Sequence, residues 1–394
     1  MIREKYLEML NSKSVIREIA YYGIERAEKI GKENVFDYSI GNPSVPAPSF
    51  FNEAIAKILR EESPMKLHGY APAHGFTSTR KVVANSLNKR FSMNYNYNNI
   101  FMTNGAASSI AHSIRAVVKP GEEIIIFAPY FPEYIPYISE TGAITKIVPP
   151  DVSSFQINFT AFEEMLNANV AAVLINSPNN PSGIVYSSDT IKKLADLLQA
   201  KGLEYGRPIY LISDEPYREI VFEETDSPFI SQYYKNTLQC YSFSKSLSIP
   251  GERIGYIAVN PLCENADVLA DIFVQISRGI GHNGPSTLLQ LAVEKNIDKT
   301  ARLEIYAENE KLLYAALVNS GYYCVEPGGT FYMFPRSLEA DANAFCKKAL
   351  AHDILLVPGD SFGCPGHFRI AFCVETEKLV RSLPLFEKLA KEYA

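Results

Sequence analysis

A lysine carries the sharpest chemical signal in the chain. Lys245 lies in Ser242-Phe243-Ser244-Lys245-Ser246-Leu247-Ser248, directly after the strand-like run Thr237 to Tyr241. Arg253 follows eight positions later, at the start of a second such run, Arg253 to Val259. A primary amine at a strand end, flanked by hydroxyls and a guanidinium, can form a Schiff base with an aldehyde while its neighbours bind a phosphate. By itself a lysine in a serine-rich loop is more often a solvated surface group, and Arg253 alone would more often be a surface ion pair.

Other residues make demands that point the same way. Asp214 ends the apolar run Ile209 to Ile212 and precedes Tyr217 by three positions. A carboxylate at a buried strand end is costly unless it meets a cation or several hydrogen-bond donors, although Asp-x-x-Tyr is also a common surface turn. Arg369 interrupts the apolar run His367-Phe368-Arg369-Ile370-Ala371-Phe372 and needs an anion, most often a protein carboxylate. Asn180 stands in Asn176-Ser177-Pro178-Asn179-Asn180-Pro181-Ser182-Gly183, after the buried run Val170 to Ile175, where asparagines also serve turns for conformational reasons alone. Thr103-Asn104-Gly105-Ala106-Ala107-Ser108-Ser109 joins the strand-like Ile100 to Met102 to the helix-like Ile110 to Val118. Small residues at such a turn expose backbone N–H groups at the positive end of a helix, a ready anion site, though tight turns need small residues anyway.

The elements that must position these groups alternate. Apolar runs at Ile124 to Phe127, Ile144 to Val148, Val170 to Ile175, Ile209 to Ile212 and Leu238 to Tyr241 are interleaved with helical patterns such as Thr190 to Gln199. That alternation predicts a parallel sheet covered on both faces. Ligands bind beyond the carboxyl ends of such strands, and the motifs above stand at those ends. Helical periodicity also covers Phe50 to Leu59 and Ser14 to Gly31, with Ser14 a candidate cap. Past Asn283-Gly284-Pro285-Ser286 a long helical stretch, Thr287 to Leu317, leads to short strands in Gly328 to Phe334, which reads as a second, smaller domain.

Composition narrows the function class. The chain has 394 residues, enough for two or three domains, and 47% apolar with 12% aromatic residues will bury a sizeable core. With 38 basic against 44 acidic residues and no long basic run, adhesion to nucleic acid or an anionic membrane is not expected. Charges at Arg3, Glu4, Lys5 and Glu8 do not fit a signal peptide, and no apolar run approaches membrane-spanning length. Six cysteines without a Cys-x-x-Cys pair argue against a disulfide framework or a structural zinc, and for a reducing cytoplasm. Cys364 and His367 have Cys-x-x-His spacing but no partner pair, so no metal is expected.

Taken together and in this order, the motifs from about Gly41 to Phe372 resemble the class I/II, fold-type I aminotransferases, and among them the aspartate aminotransferases. The resemblance implies an α/β fold: a large domain, 45–290, with a mostly parallel seven-stranded sheet covered by helices, and a smaller α+β domain from 1–44 and 291–394. It implies pyridoxal 5'-phosphate as cofactor and a homodimer with shared active sites. Lys245 would hold the aldehyde and shuttle the proton at the substrate Cα. Asp214 would pair with the ring nitrogen, Tyr217 and Asn180 would bond the ring oxygen, and Phe131 would stack on the ring where aspartate-specific enzymes carry a tryptophan. Ser242, Arg253 and the N–H groups of Gly105, Ala106 and Ala107 would bind the phosphate. Tyr70, in Tyr-x-Pro-x-x-Gly, would reach the phosphate of the neighbouring subunit; alone it reads as loop packing.

On the substrate side, Arg369 and Asn180 would bind the α-carboxylate, and Gly41, which alone reads as part of a linker, would let the backbone approach it. Arg278 would reach across a dimer to a side-chain carboxylate, with a structural arginine as the alternative. The implied reaction is ping-pong transfer of an amino group from an L-amino acid to a 2-oxo acid, of aspartate or glutamate type if Arg278 serves as that clamp. The abundant Tyr and Phe would allow an aromatic substrate. A pyridoxal-phosphate C–S β-lyase or aminocyclopropane-carboxylate-synthase-like enzyme shares these residues, and a cofactor-binding regulator without turnover is a third alternative.

Overall fold

The computed structural model describes residues 4–11 and 15–393, so the Ser14 cap lies outside the described residues. Its strands, in chain order, are β1 (Phe36–Asp37), β2 (Ile100–Thr103), β3 (Glu123–Phe127), β4 (Ile144–Val148), β5 (Val170–Asn176) and β6 (Tyr210–Asp214). These are followed by β7 (Thr237–Ser242), β8 (Gly255–Val259), β9 (Tyr332–Met333), β10 (Ile354–Leu355), β11 (Val357–Pro358) and β12 (Phe368–Ala371).

Seven of them form the central sheet in the order β2-β8-β7-β6-β5-β3-β4. All pairings are parallel except those of β8, which runs antiparallel to both β7 and β2. Burial explains the composition. Every residue of β5, Val-Ala-Ala-Val-Leu-Ile-Asn, is buried, which is what a central strand covered on both faces requires. β4, at the sheet edge, is exposed or half-buried at every position but Val148 and carries Lys146, a charge that discourages edge pairing. One apolar cluster packs β3 and β5 against the helix Ser188–Tyr205, and another packs the helix Ala106–Val117 on the opposite face.

A second body is built on the three-stranded antiparallel sheet β11-β12-β9, with the helices Glu304–Asn319 and Thr376–Lys391. Its core joins Phe331, Phe345, Phe368 and Phe386 to Phe36, Tyr38 and Val45 from the N-terminal part. β1 pairs in parallel with β10, which ties the N-terminal segment into this body.

The stretch expected as one helix from Thr287 to Leu317 is two, Thr287–Glu294 and Glu304–Asn319. The break is made by tertiary bonding: the Ala301 N–H donates to the Ser246 carbonyl at 2.7 Å, beside Lys245, and Lys299 N–H turns back onto Asn296 O. Leu291, Ala292 and Val293 pack with Phe51 and Tyr256 of the large body, whereas Ala301 packs with the small one. We therefore propose the border near residue 300 rather than at 290. Arg253 and Ile254 precede β8 rather than opening it, because Arg253 takes a left-handed conformation (φ 52°).

Candidate active site

The carboxyl ends of β5, β6 and β7 and the start of the helix after β2 face one cavity of about 340 Å³. Of the residues picked out from sequence, Gly41, Ala106, Ala107, Phe131, Asn180, Asp214, Tyr217, Ser242, Lys245, Arg253 and Arg369 all line it. They come from eight separate segments, and the sheet topology brings them together.

Lys245 sits in the one-turn helix Phe243–Ser246, immediately after β7. Ser242 starts that turn: its Oγ accepts the Ser244 N–H at 3.1 Å and keeps its own proton to donate. The Lys245 amine donates to the Gly41 carbonyl at 2.8 Å. Burial, with the nearby Arg253 and Arg369 charges, pushes this amine down to about 8, against a smaller opposite pull from Cys373.

Asp214 is the last residue of β6 and is 5% exposed. The Tyr134 hydroxyl donates to its Oδ2 at 2.6 Å, and the Asn176 amide donates to its backbone carbonyl at 2.9 Å. Its other carboxylate oxygen, Oδ1, is buried with no hydrogen-bond partner. Burial raises the Asp214 carboxyl to about 7 in spite of the Tyr134 bond, and Glu215 pushes the same way. A buried, half-satisfied carboxylate on a cavity wall asks for a cation or donor from the cavity.

Arg369, on β12, is 3% exposed, and no carboxylate among the described residues pairs with it. Its Nη1 donates to Asn180 Oδ1 at 3.1 Å and its Nη2 to the Ser39 carbonyl, while Nε has no partner. The guanidinium is held between the rings of Tyr332 and Phe362, at 4.8 and 4.9 Å from their centroids. Asn176 braces the other side of this unit, because its Oδ1 accepts the Asn180 N–H at 2.7 Å.

The helix Ala106–Val117 begins at Gly105, whose φ of 92° suits glycine, and its first residues, Ala106 and Ala107, line the cavity, so that a helix start adjoins it. A Cβ on Gly105 would lie 3.2 Å from Arg253 Nη2, so glycine leaves the guanidinium its place beside the helix start. Arg253 is exposed, donates to the Pro250 carbonyl at 2.8 Å, and pairs with no carboxylate of the described residues. An anion receptor, an amine and an orphaned carboxylate oxygen therefore face the same cavity. That donor set fits a phosphorylated aldehyde with a basic ring nitrogen.

Tyr70 and Arg278 do not join this cavity. Both are exposed and line a separate groove, with Arg278 donating to Gln275 at 2.8 Å. The reason lies in the helix Ala266–Ile280, which docks behind the helix Ala106–Val117 through Ser277 and His112, 2.9 Å apart, and so carries Arg278 away from the site of its own chain. Sequence reasoning also passed over Tyr134, Asn176, Ser39 and Tyr332. Asn176 opens the motif that holds Asn180, and Tyr134 stands three residues after Phe131, so both lie close to residues that were chosen.

Residues 33–383 match the family described as aminotransferase class I and II. The chain belongs to that family. An aspartate aminotransferase of Thermotoga maritima is 29% identical over 363 residues, covering 90% of this chain and 91% of that protein. A probable N-acetyl-LL-diaminopimelate aminotransferase of Bacillus subtilis is 28% identical over 388 residues, covering 96% and 95%. Among solved structures, an amino transferase from Eubacterium rectale is 46% identical, with a TM-score of 0.96 and coverage of 100% of this chain and 99% of that one. The protein is thus a class I/II aminotransferase with the fold-type I architecture, a transaminase of a family that uses pyridoxal phosphate. Nearly equal identity to relatives named for different substrates leaves the substrate to the site itself.

Proposed function

We propose that this aminotransferase binds pyridoxal 5'-phosphate in the cavity around Lys245 and moves an amino group from an L-amino acid to a 2-oxo acid. The observation that carries the reading is the buried, unpartnered Oδ1 of Asp214 on the same cavity wall as the Lys245 amine. When bound, the cofactor supplies an aldehyde for the substrate amine and a ring that accepts the electrons released at Cα.

The chain's own residues do the rest. Asp214 would hold a proton on the ring nitrogen, and Tyr134 and Asn176 hold Asp214 in place. Tyr217 would donate to the ring hydroxyl oxygen, Phe131 would stack on the ring, and Ser242, Arg253 and the N–H groups of residues 105–107 would bind the phosphate. Lys245 would hold the aldehyde and, in its base form, would move the proton at the substrate Cα. Its depressed pKa of about 8 keeps a usable fraction in the base form near neutrality. Arg369 binds the α-carboxylate, with the Asn180 amide N–H left to donate because its oxygen is already taken. Fixing that carboxylate would set the orientation of the substrate Cα bonds in the site.

The exposed positions of Tyr70 and Arg278 on their own groove support a homodimer in which each serves the site of the other subunit. On that geometry Arg278 would favour an aspartate- or glutamate-type donor. The six cysteines are all unpaired and buried, which supports a cytoplasmic location.

The test is an absorption experiment on the reconstituted enzyme. An amino acid should convert the visible band of the lysine-bound cofactor to the amine form and release one equivalent of 2-oxo acid, and a second 2-oxo acid should restore the band. Steady release of ammonia and pyruvate without an acceptor would refute transamination as its main reaction.

A further inference from the structure

Tyr332 touches both halves of this site. It lies on β9, hydrogen-bonded to the strand that carries Arg369, and is 3% exposed on the cavity wall. Its hydroxyl is 3.1 Å from that of Tyr217, its ring face carries the Arg369 guanidinium, and its backbone N–H is held by Thr330 Oγ1 at 3.0 Å. We propose that Tyr332 is a positioning residue that donates its hydroxyl proton to Tyr217 and seats Arg369 on its ring. One side chain would then align the group that faces the cofactor and the group that faces the substrate. The proposal rests on the roles given above to Tyr217 and Arg369.

The direction of the proton follows from counting. A phenol has one proton and two lone pairs. Burial raises both phenols, so both hydroxyls stay protonated at ordinary pH. Only one proton can lie between them. If Tyr217 spends its proton on the ring oxygen, the proton in the tyrosine pair belongs to Tyr332, and donation by Tyr332 strengthens the bond that Tyr217 makes in turn.

The hydroxyl of Tyr332 is also confined from the far side. A Cβ at Gly41 would lie 1.8 Å from it, and the Gly41 carbonyl is the acceptor of the Lys245 amine. Thus the position of the Tyr332 ring is set by Gly41, Tyr217 and Arg369 together.

Two variants separate the two roles in the holoenzyme. Tyr332→Phe removes the proton and keeps the ring, whereas Tyr332→Leu removes both. The first readout is the pH titration of the visible cofactor band, and the second is the dissociation constant of butyrate, a carboxylate without an amine, read from the same band. The Phe variant should titrate roughly 0.5 to 1 pH unit higher than the unmodified enzyme, the value of one hydrogen bond, and bind butyrate within about twofold of it. The Leu variant should show the same band shift and bind butyrate about 3- to 30-fold more weakly, the value of a desolvated cation–π contact.

In a Tyr217→Phe background, Tyr332→Phe should shift the band no further, because the residue through which it acts is gone. A Phe variant that titrates like the unmodified enzyme, or an undiminished shift in the Tyr217→Phe background, overturns the proton donation. Unchanged butyrate binding in a folded Leu variant overturns the seating of Arg369. If the Leu variant does not fold, Tyr332→Met carries that arm. An unmodified enzyme with no visible band overturns the cofactor reading and this proposal with it, an outcome distinct from the others because it needs no variant.

Discussion

Asp214 should cost the cofactor-free protein stability, with a pH dependence that follows from its raised pKa. Burial lifts its carboxyl from 3.8 to about 7. Between those values the unfolded chain is ionised at this site while the folded chain holds the proton, so the folded state binds more protons. Stability therefore falls as pH rises through this window, by up to about 1.4 kcal/mol per pH unit, and levels off above about 7. The full span of about three units sets an upper figure of about 4 kcal/mol, of which about 2 to 3 kcal/mol falls between pH 5 and 7. Asp214→Asn keeps an acceptor for Tyr134 and loses the titration. Urea unfolding of the cofactor-free protein, from pH 5 to 8 at fixed protein concentration, should show the variant gaining on the unmodified chain by that amount as pH rises. With cofactor bound, a cationic ring nitrogen opposite Oδ1 should hold the carboxylate ionised and remove the gain. Parallel stability profiles for the two cofactor-free proteins would refute the reasoning, because they would mean that Oδ1 is solvated or paired.

Arg369→Lys keeps the charge and loses the fork, so kcat/KM for amino acids should fall about 100-fold, with no such fall for an amine lacking the carboxylate. Gly41→Ala places a Cβ where the Tyr332 hydroxyl sits; a thermal melt should show destabilisation of about 1–3 kcal/mol, and the cofactor band should shift in the direction of Tyr332→Phe. Glu310 is buried in the small body with Oε1 unpartnered, and burial, reinforced by Glu326, raises it to about 7. Because the folded form holds the proton up to that pH, Glu310→Gln should stabilise by about 1–3 kcal/mol at pH 8 and by little at pH 5, with kcat unchanged. Arg278→Ala should weaken aspartate and glutamate selectively over neutral amino acids in steady-state assays, and an unchanged preference would remove Arg278 from substrate recognition.

The large body was legible because its strands are buried on both faces and its loops carry the chemistry. A run such as Val-Ala-Ala-Val-Leu-Ile in β5 has one reading once helical patterns flank it, and the polar residue that follows each run then falls at a strand end. The break between Glu294 and Glu304 was not legible. No glycine or proline lies between Thr287 and Leu317, and the interruption is set by a bond from Ala301 to Ser246, more than fifty residues earlier in the chain. Tyr70 and Arg278 were expected by resemblance to serve a neighbouring subunit, and in the fold both lie on a groove apart from the site of their own chain.

The residues that were found and those that were missed differ in physical cost. Lysine, aspartate and arginine among apolar neighbours are expensive, so each announces a need for a partner. Tyr134, Asn176, Ser39 and Tyr332 are cheap to bury and common in cores and turns. Only coordinates reveal that Tyr134 bonds Asp214 across 80 residues, or that Tyr332 supports Arg369. Arg369 shows what the two kinds of information do together. Its sequence setting demands an anion, and in the fold its partners are neutral oxygens, from Asn180 and Ser39, and two aromatic rings. Neutral acceptors hold a guanidinium in place without cancelling its charge. The charge left over, facing a cavity that also holds a depressed-pKa amine, is what a substrate carboxylate can answer.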